Sequence, residues 1–302
     1  PVVPSSKFYE NGGAFFRETA DDPNGLHAVL YNIKSQDEWH THNEVNGLAL
    51  SGLGNRLLVN GGRLGAPTRA AYLNNTLTIN GINHDSRLGG GITTGFIAKG
   101  LDFAVGNDGP SLSSETHDRI LIMIHGDEEV NGYFIVFDEV KGKAGDKIKN
   151  YLHPANQSIV TQTLALSEYT APIDHYETLK GTSITFYYLT PPTVVNVDKT
   201  PGAVPDRYPG YPDHNRLEAV YDINSEGSKN LATLIFPHDF NHPKADFQKI
   251  STGEFHGVIA NQDGTSDFIL ESMAEKEITS NEISFNADLC VVRKSQKANS
   301  FY

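Results

Sequence analysis

The sequence is poor in the residues that build disulfide scaffolds and thiolate metal sites. Its 302 residues include a single cysteine, Cys290, which excludes an intramolecular disulfide and any structural zinc site built on several thiolates. Leu289, Val291 and Val292 flank this cysteine, and that setting predicts a buried strand residue rather than a reactive thiol. No apolar run reaches the roughly 18–20 residues needed to cross a bilayer, so we expect no membrane span.

Basic residues are also scarce. Lys and Arg number 24 against 37 Asp and Glu, which gives a formal net charge of −13 at pH 7. This balance argues against nucleic-acid binding, because that function needs a basic surface. An acidic balance suits an exported protein, and we expect a secreted or periplasmic location. Hydrophobic residues still make up 38% of the chain, which is too many for a disordered protein.

Helix signals are nearly absent, whereas strand signals run through the whole chain. Alternating or β-rich segments such as Arg119–His125 and Tyr133–Val140 are separated by turn dipeptides such as Asn131-Gly132. Many short strands at this spacing predict an all-β protein, an antiparallel β-sandwich (supersandwich-like) with long loops. We expect one domain over residues 1–302, with at most a weak boundary near 200–215.

Three segments are predicted to interrupt the strands. Gly89–Gly95 is rich in glycine and Thr190–Asp213 is rich in proline, and both are interpreted as loops. Glu271–Glu277 is a short helix candidate.

The densest polar cluster is the segment Trp39-His40-Thr41-His42-Asn43-Glu44. His40 and His42 are two residues apart, so on a strand both side chains point to one face. Two imidazoles on one face can bind a metal, or can place a general acid beside a group that neutralises charge. A pair of ordinary surface histidines is the alternative. A cupin-like metal site is disfavoured, because Glu44 follows His42 too closely.

The order of the motifs resembles the C-terminal β-sheet domain of the heparinase II/III-like polysaccharide lyases. The likeness covers residues 15–140 well, and beyond residue 150 it is only a β-rich continuation. Its motifs lie, in chain order, at Phe15–Glu18, Trp39–Glu44, Leu57–Gly62, Asn74–Ile79, His117–Ile122 and Gly132–Val140.

This resemblance implies β-elimination on an acidic, uronate-containing polysaccharide. The reaction needs a base for the proton beside the uronate carboxylate, groups that neutralise the carboxylate, and an acid for the departing oxygen. His40 falls on the position of the family's sheet-domain catalytic histidine. The predicted catalytic residues are His40, His42 and Tyr72, and the predicted substrate-binding residues are Glu44, Arg63, Arg69, Asn74 and Arg119.

His42 also falls on a position that binds a structural metal in some members of that family. Asn60 and Asn74 occupy the partner positions here, and Asn is a weaker ligand than Asp or His. We therefore predict no certain cofactor, with zinc or calcium at His42 and Asn60 as the candidate metals.

Lyases of that family place the sheet domain after a large helical toroid, and no stretch of this sequence has a helical pattern of that size. We therefore expect a lyase that acts on an acidic polysaccharide together with a helical toroid domain or subunit. Two alternatives stay open. One is a non-catalytic glycan-binding or structural β-sandwich, and the other is a metal-dependent β-barrel enzyme that uses His40 and His42.

Overall fold

The computed structural model describes residues 6–19, 22–34, 42–60, 66–127, 130–172, 182–200, 213–273, 277–280, 283–295 and 299–301. Within these residues the regular structure is β-strand, apart from three short 3-10 helices at Ala66–Arg69, Ala71–Leu73 and Ser86–Leu88. The all-β prediction is confirmed. In the described part of the chain, no helix has the length and apolar character needed to cross a membrane.

Strands follow one another along the whole described chain. Their bounds are β1 (Lys7–Tyr9), β2 (Gly13–Arg17), β3 (His27–Tyr31), β4 (Gly47–Gly52), β5 (Asn55–Leu58), β6 (Leu77–Ile79), β7 (Gly91–Ala98), β8 (Leu101–Asn107), β9 (Thr116–Ile124), β10 (Tyr133–Lys141), β11 (Lys147–Leu152), β12 (Asn156–Gln162), β13 (Leu166–Pro172), β14 (Ser183–Tyr188), β15 (Val194–Thr200), β16 (His214–Asp222), β17 (Ser228–His238), β18 (Asp246–Lys249), β19 (Phe255–Gln262), β20 (Thr265–Ser272), β21 (Ile278–Ser280), β22 (Ile283–Phe285), β23 (Leu289–Lys294) and β24 (Asn299–Phe301).

These strands assemble into antiparallel sheets. The N-terminal sheet has the order β1-β2-β3-β4-β5, and the central sheet has the order β12-β13-β14-β17-β10-β9-β8-β7. The side sheet has the order β15-β16-β11-β6, the C-terminal sheet has the order β18-β19-β20-β23-β24, and β21 pairs with β22. Neighbouring strands run antiparallel throughout, for example β9 with β10 and β10 with β17.

The central sheet is covered on both faces, and this arrangement gives the protein a layered core. One face packs against the N-terminal and side sheets, where Phe134 shares a cluster with Leu30 and Leu217. The other face packs against the C-terminal sheet, where Tyr133 shares a cluster with Val258. Because successive side chains of a strand point to opposite faces, a strand buried on both faces is apolar at nearly every position. This explains the continuous apolar run at the start of β10 and confirms the sandwich prediction.

The prediction of a loop at Gly89–Gly95 is wrong in part, because Gly91–Ala98 forms edge strand β7. Glycine has a packing role there rather than a loop role. A Cβ atom at Gly95 would lie 2.1 Å from the Phe8 ring, so only glycine allows the ring to lie this close to the strand.

The other two interruptions are also revised. The segment predicted as one long loop contains β15, which pairs with β16. This pairing joins strands on either side of the predicted weak boundary near 200–215, and the single-domain assignment stays a prediction. Glu271 and Ser272 are the last residues of β20 rather than the start of a helix, and residues 274–276 lie outside the described part of the chain.

Candidate functional site

The predicted polar cluster lies at the entry to β4. His40 and Arg63 lie outside the described residues, so their predicted roles stay predictions. His42 lies within the described residues. The segment 66–73, which contains two of the short helices, contacts the next residue, Asn43. The Asn43 backbone N–H donates to the carbonyl oxygen of Arg69 at 2.5 Å. This bond joins the loop that enters β4, which carries the cluster, to the segment that leads to β6.

His42 is oriented by two oxygen atoms. Its Nδ1 lies 2.9 Å from Asn74 Oδ1 and 3.4 Å from Glu44 Oε1. Both oxygens are acceptors, so Nδ1 carries the ring proton. The other nitrogen, Nε2, is left for contacts outside this group, on a side chain that is 34% exposed. A carboxylate that holds one imidazole N–H fixes the tautomer and orientation of a histidine used in proton transfer.

Asn74 is fully buried, and the backbone fixes the direction of its amide. Its Nδ2 donates to the carbonyl oxygens of Ala70 at 2.9 Å and Thr68 at 3.3 Å. Both N–H groups are therefore directed at acceptors, and the amide oxygen must face His42. The short helices thus determine which atom of Asn74 meets the imidazole.

Glu44 is the charged member of the group and is 4% exposed. A Cβ atom at Gly47 would lie 2.6 Å from Glu44 Oε2, so glycine is needed where the carboxylate packs on the backbone. The hydrogen bond from His42 to Glu44 raises the pKa of His42, helped by charge attraction and opposed by burial and by Arg69. His42 is therefore tuned toward its charged form.

The burial of Glu44 and Asn74 argues against the substrate-binding roles predicted for them. Their polar atoms face His42 or the backbone rather than solvent. Glu44 and Asn74 instead support His42. The sequence alone does not distinguish such supporting residues from residues of a binding surface.

Arg69 and Tyr72 lie on the exposed side of the segment 66–73. Arg69 is exposed, and its charge opposes protonation of His42. Tyr72 is 40% exposed, and the Arg216 guanidinium lies over its ring, with Cζ 5.0 Å from the ring centroid. The Tyr151 ring meets the Tyr72 ring edge-on, with 6.4 Å between centroids. Arg216 was missed by sequence analysis, because nothing local connects β16 with this segment.

A pair of buried histidines supports Tyr72 from below. His153 Nε2 donates to the carbonyl oxygen of Tyr72 at 3.1 Å, and His153 Nδ1 lies 3.0 Å from His214 Nε2. Burial lowers the pKa of His214 to about 4, and burial followed by the proximity of His214 lowers the pKa of His153 well below its usual range. Both rings are therefore neutral at neutral pH and join the side sheet to the site segment.

Arg119 is fully buried, which argues against its predicted substrate-binding role. Its guanidinium forms a two-point ion pair with Asp138, with Nε–Oδ1 at 2.6 Å and Nη2–Oδ2 at 3.1 Å. Its Nη1 donates to the carbonyl oxygens of Asn46 and Asn75. An enclosed guanidinium does not reach a polymer at the surface. Arg119 instead ties two site segments to the central sheet, the loop 42–47 that enters β4 and the segment 66–75 that leads to β6.

Two further histidines lie beneath the cluster in neutral form. His84 accepts the Val45 N–H at Nδ1 and donates from Nε2 to the Leu77 carbonyl oxygen. Burial, followed by the proximity of His117, lowers the pKa of His84 to about 3. Burial also lowers the pKa of His117. The environment therefore separates His42, whose pKa is raised, from the buried histidines behind it.

The described residues do not supply a complete ligand set for the predicted metal. Among them, no group of three His, Cys, Asp or Glu side chains could hold a metal ion. Asn60 is exposed and its Oδ1 accepts from Asn75 Nδ2 at 3.3 Å, while Asn74 Oδ1 accepts from His42. Structural zinc is usually bound by four Cys, His or carboxylate ligands, and one imidazole with neutral amides does not fit that requirement. Zinc or calcium at His42 and Asn60 stays a prediction, and no step below passes through a metal.

Comparison with known proteins finds similarity in structure. No protein-family model matches the sequence, and no curated protein sequence matches it. A heparan sulfate lyase, HepC of Pedobacter heparinus, superposes with a TM-score of 0.69 at 16% identity over 90% of this chain. Two structures of heparinase III give TM-scores of 0.68 and 0.66 at 14% and 15% identity, over 90% and 89% of this chain. The match covers 43%, 43% and 42% of those three chains, respectively. This chain therefore spans about two fifths of their length and shares their fold in that part.

Proposed function

We propose that this chain is the sheet portion of a polysaccharide lyase. In this proposal it cleaves an acidic, uronate-containing polysaccharide by β-elimination, together with a helical domain or subunit. The observation that carries the proposal is the group formed by His42, Glu44 and Asn74 at the surface of a fold found in heparan sulfate lyases. A fold by itself hosts many functions, so the proposal depends on what this group can do chemically.

The reaction makes three demands. A base removes the proton beside the uronate carboxylate, and the electron pair of that C–H bond forms a carbon–carbon double bond. The glycosidic oxygen leaves and takes a proton from an acid. Negative charge accumulates on the carboxylate as the proton leaves, so cations or hydrogen-bond donors must face it.

His42 can meet the proton-transfer demand through Nε2. The Nδ1–H group is held by Asn74 and Glu44, so a proton accepted at Nε2 gives an imidazolium that the Glu44 carboxylate stabilises. The hydrogen bond to Glu44 raises the pKa of His42, which favours the imidazolium formed when Nε2 accepts the proton. His40 is the proposed second histidine, and Tyr72 is a further candidate for proton transfer.

Arg69 can meet the charge demand. It is exposed beside His42, and a guanidinium pairs with a carboxylate through two parallel hydrogen bonds. Arg63 is proposed to act in the same way. The remaining groups are proposed to come from the helical partner, and a polymeric substrate of this kind agrees with a secreted or periplasmic location.

The test is a lyase assay of the natural polypeptide that contains this chain, alongside the 302-residue chain alone. The ultraviolet absorbance of the unsaturated uronate product is followed on heparan sulfate, alginate and other acidic polysaccharides. We expect product with the natural polypeptide and a loss of at least about 100-fold in kcat for His40→Ala and His42→Ala, the scale of general acid–base catalysis.

The matched control is His27→Ala. His27 is half-buried at the far end of β3, so its replacement should leave the rate unchanged. Saturable glycan binding without product in either protein, even beside a helical partner subunit, would reject the lyase and favour a binding module. Product formation that survives both histidine substitutions would reject the proposed site.

A further inference from the structure

We propose that Glu44 and Asn74 form a positioning pair that holds His42 in its Nδ1–H tautomer without a metal ion, so that Nε2 is the atom that exchanges protons with the substrate. This inference rests on the proposed lyase function for its chemical role. Its structural part, the tautomer, rests on the contacts around the imidazole alone. The expectation that no metal is bound rests on the lack of a group of three His, Cys, Asp or Glu ligands among the described residues.

The first step is the hydrogen bond between His42 and Asn74. Asn74 Oδ1 lies 2.9 Å from Nδ1 and has no proton to give, so the proton between them belongs to the imidazole. A nitrogen that carries a proton has no lone pair for a metal. Nδ1 is therefore committed to hydrogen bonding, and Nε2 is the ring nitrogen that keeps a lone pair.

The second step is the direction of the Asn74 amide. A flip would turn Nδ2 toward His42 and would remove its bonds to the carbonyl oxygens of Ala70 and Thr68. Two carbonyl groups would then face the amide oxygen without a donor, an unfavourable arrangement for a fully buried side chain. The backbone of the segment 66–73 therefore selects the tautomer of His42.

The third step is the placement of the Glu44 carboxylate. Oε1 faces the same imidazole nitrogen at 3.4 Å, and Gly47 lets the carboxylate pack directly on the backbone. Among the described residues Oε2 has no hydrogen-bond partner. The charge of Glu44 is thus directed mainly at His42, where it favours a protonated Nδ1.

The fourth step is the anchoring of both supports to one buried group. Arg119 Nη1 donates to the carbonyl oxygens of Asn46 and Asn75 at 2.9 and 3.0 Å. These residues directly precede Gly47 and directly follow Asn74. One guanidinium therefore fixes the spacing of the two segments that carry the positioning pair, and no ion is needed to bring them together.

The test observes the imidazole directly. Nitrogen-15 NMR of the natural polypeptide, labelled in histidine and assigned with His42→Ala, reports which ring nitrogen of His42 carries the proton at neutral pH. We expect a protonated Nδ1 in the untreated protein, no change after dialysis against a chelator, and no change when zinc is added in equimolar amount. Elemental analysis should find less than 0.1 equivalent of metal, on the order of background for a protein without a site.

Variants separate the pair from the predicted metal ligand. Glu44→Gln and Asn74→Leu should each move His42 toward a mixture of tautomers and lower kcat by about 10–100-fold, the usual effect of removing a partner that orients a functional histidine. KM should change little. Asn60→Ala, which removes the predicted metal ligand, should leave both the spectrum and kcat unchanged.

The outcomes distinguish this inference from the proposed function. A protonated Nδ1 in a protein that cleaves no polysaccharide would leave the positioning pair in place and reject the lyase. Product formation by a protein whose His42 binds stoichiometric metal, or whose Nδ1 lacks a proton, would reject the positioning pair and leave the lyase in place.

Discussion

Two buried arginine–aspartate pairs lie at opposite faces of the central sheet, and they differ in what else they hold. Arg119 and Asp138 lie on the face that meets the N-terminal and side sheets, and Arg119 also bonds to the backbone of both site segments. Arg293 and Asp267 lie at the C-terminal sheet, with Nε–Oδ1 and Nη2–Oδ2 both at 2.8 Å. Arg293 further donates to the carbonyl oxygen of His125 at 3.1 Å. The same type of ion pair thus supports a candidate site in one place and joins two sheets in the other.

Burial shifts the pKa values of individual groups near the two pairs in opposite directions. On the site face, burial keeps histidines neutral, as the lowered pKa values of about 3 for His84 and about 4 for His214 indicate. On the opposite face, burial raises the pKa of Glu271 to about 8, so this carboxyl group is protonated at neutral pH. His84 and His214 therefore resist protonation, whereas Glu271 resists loss of a proton.

The largest effect is expected from removing either aspartate. Asp138→Ala should lower the free energy of unfolding by about 3–5 kcal/mol, because it leaves the buried Arg119 guanidinium without its counter-charge. Asp267→Ala should cost less, because Asp127 Oδ2 lies 3.6 Å from Arg293 Nη1 and still balances part of its charge. Chemical denaturation measures this loss. Asp198→Ala is the matched control, since Asp198 is the exposed partner of Arg216 and surface pairs contribute about 0–1 kcal/mol.

The same two variants sharpen the difference between the regions. Only Asp138→Ala should shift the His42 resonances in the folded protein, because only Arg119 is bonded to the site segments. Equal shifts in Asp267→Ala would mean that the site senses the stability of the whole core rather than this anchor.

The next effect is a pair of pH dependences of opposite sign, one from His84 and His214 and one from Glu271. His84 and His214 bind a proton less readily when folded than when unfolded, so their contribution declines as pH falls below about 6.5, by at most about 1.4 kcal/mol per pH unit for each histidine. Glu271 has a folded pKa above its unfolded value of 4.5. Its contribution is complete below about pH 4.5 and is lost as pH rises through about 8.

Denaturation curves between about pH 5 and pH 9 test both slopes. Glu271→Gln keeps the shape of the side chain and removes the titration, so it should flatten the alkaline decline and leave the acid decline unchanged. Burial also raises the pKa of Asp108 to about 7, so part of the decline near pH 7 should remain. A decline between about pH 7 and pH 9 that is as steep in Glu271→Gln as in the unmodified chain would contradict the assignment. Asp138 does not disturb this window, because its Arg119 and His117 neighbours overcome burial and hold its pKa at about 2.

Much of the layered fold could be predicted from the sequence, because alternation of side chains encodes local structure. The hairpin of β9 and β10 follows from two β-rich runs and the turn at Asn131-Gly132. Its register places Arg119 directly opposite Asp138, so the buried ion pair was within reach of a sequence argument that compared the two strands. The burial of Arg119 argues against its predicted substrate-binding role, and that prediction rested on residue type without regard to the cross-strand partner.

Other features depend on contacts that no local pattern reports. His153 meets His214 from 61 positions away in the sequence, and Arg216 of β16 meets Tyr72 of the short helix Ala71–Leu73. The strand β7 was missed because glycine in a sequence indicates flexibility, whereas Gly95 here makes room for Phe8. The sequence indicates which polar residues could form the candidate site. Only the packed structure separates the buried supports Glu44 and Asn74 from the exposed Arg69.

The smallest effect is expected on the exposed side of the site. Arg69→Ala should weaken binding of an acidic polysaccharide by about 2–5-fold, since an exposed ion pair contributes about 0.5–1 kcal/mol. Arg87→Ala is the control, because Arg87 is also exposed but pairs with Asp85. Raising the ionic strength should shrink the difference between Arg69→Ala and the unmodified chain, as screening does for surface charges. Equal losses for the two variants would mean that net charge attracts the polymer, whereas a loss confined to Arg69→Ala would place the uronate beside His42.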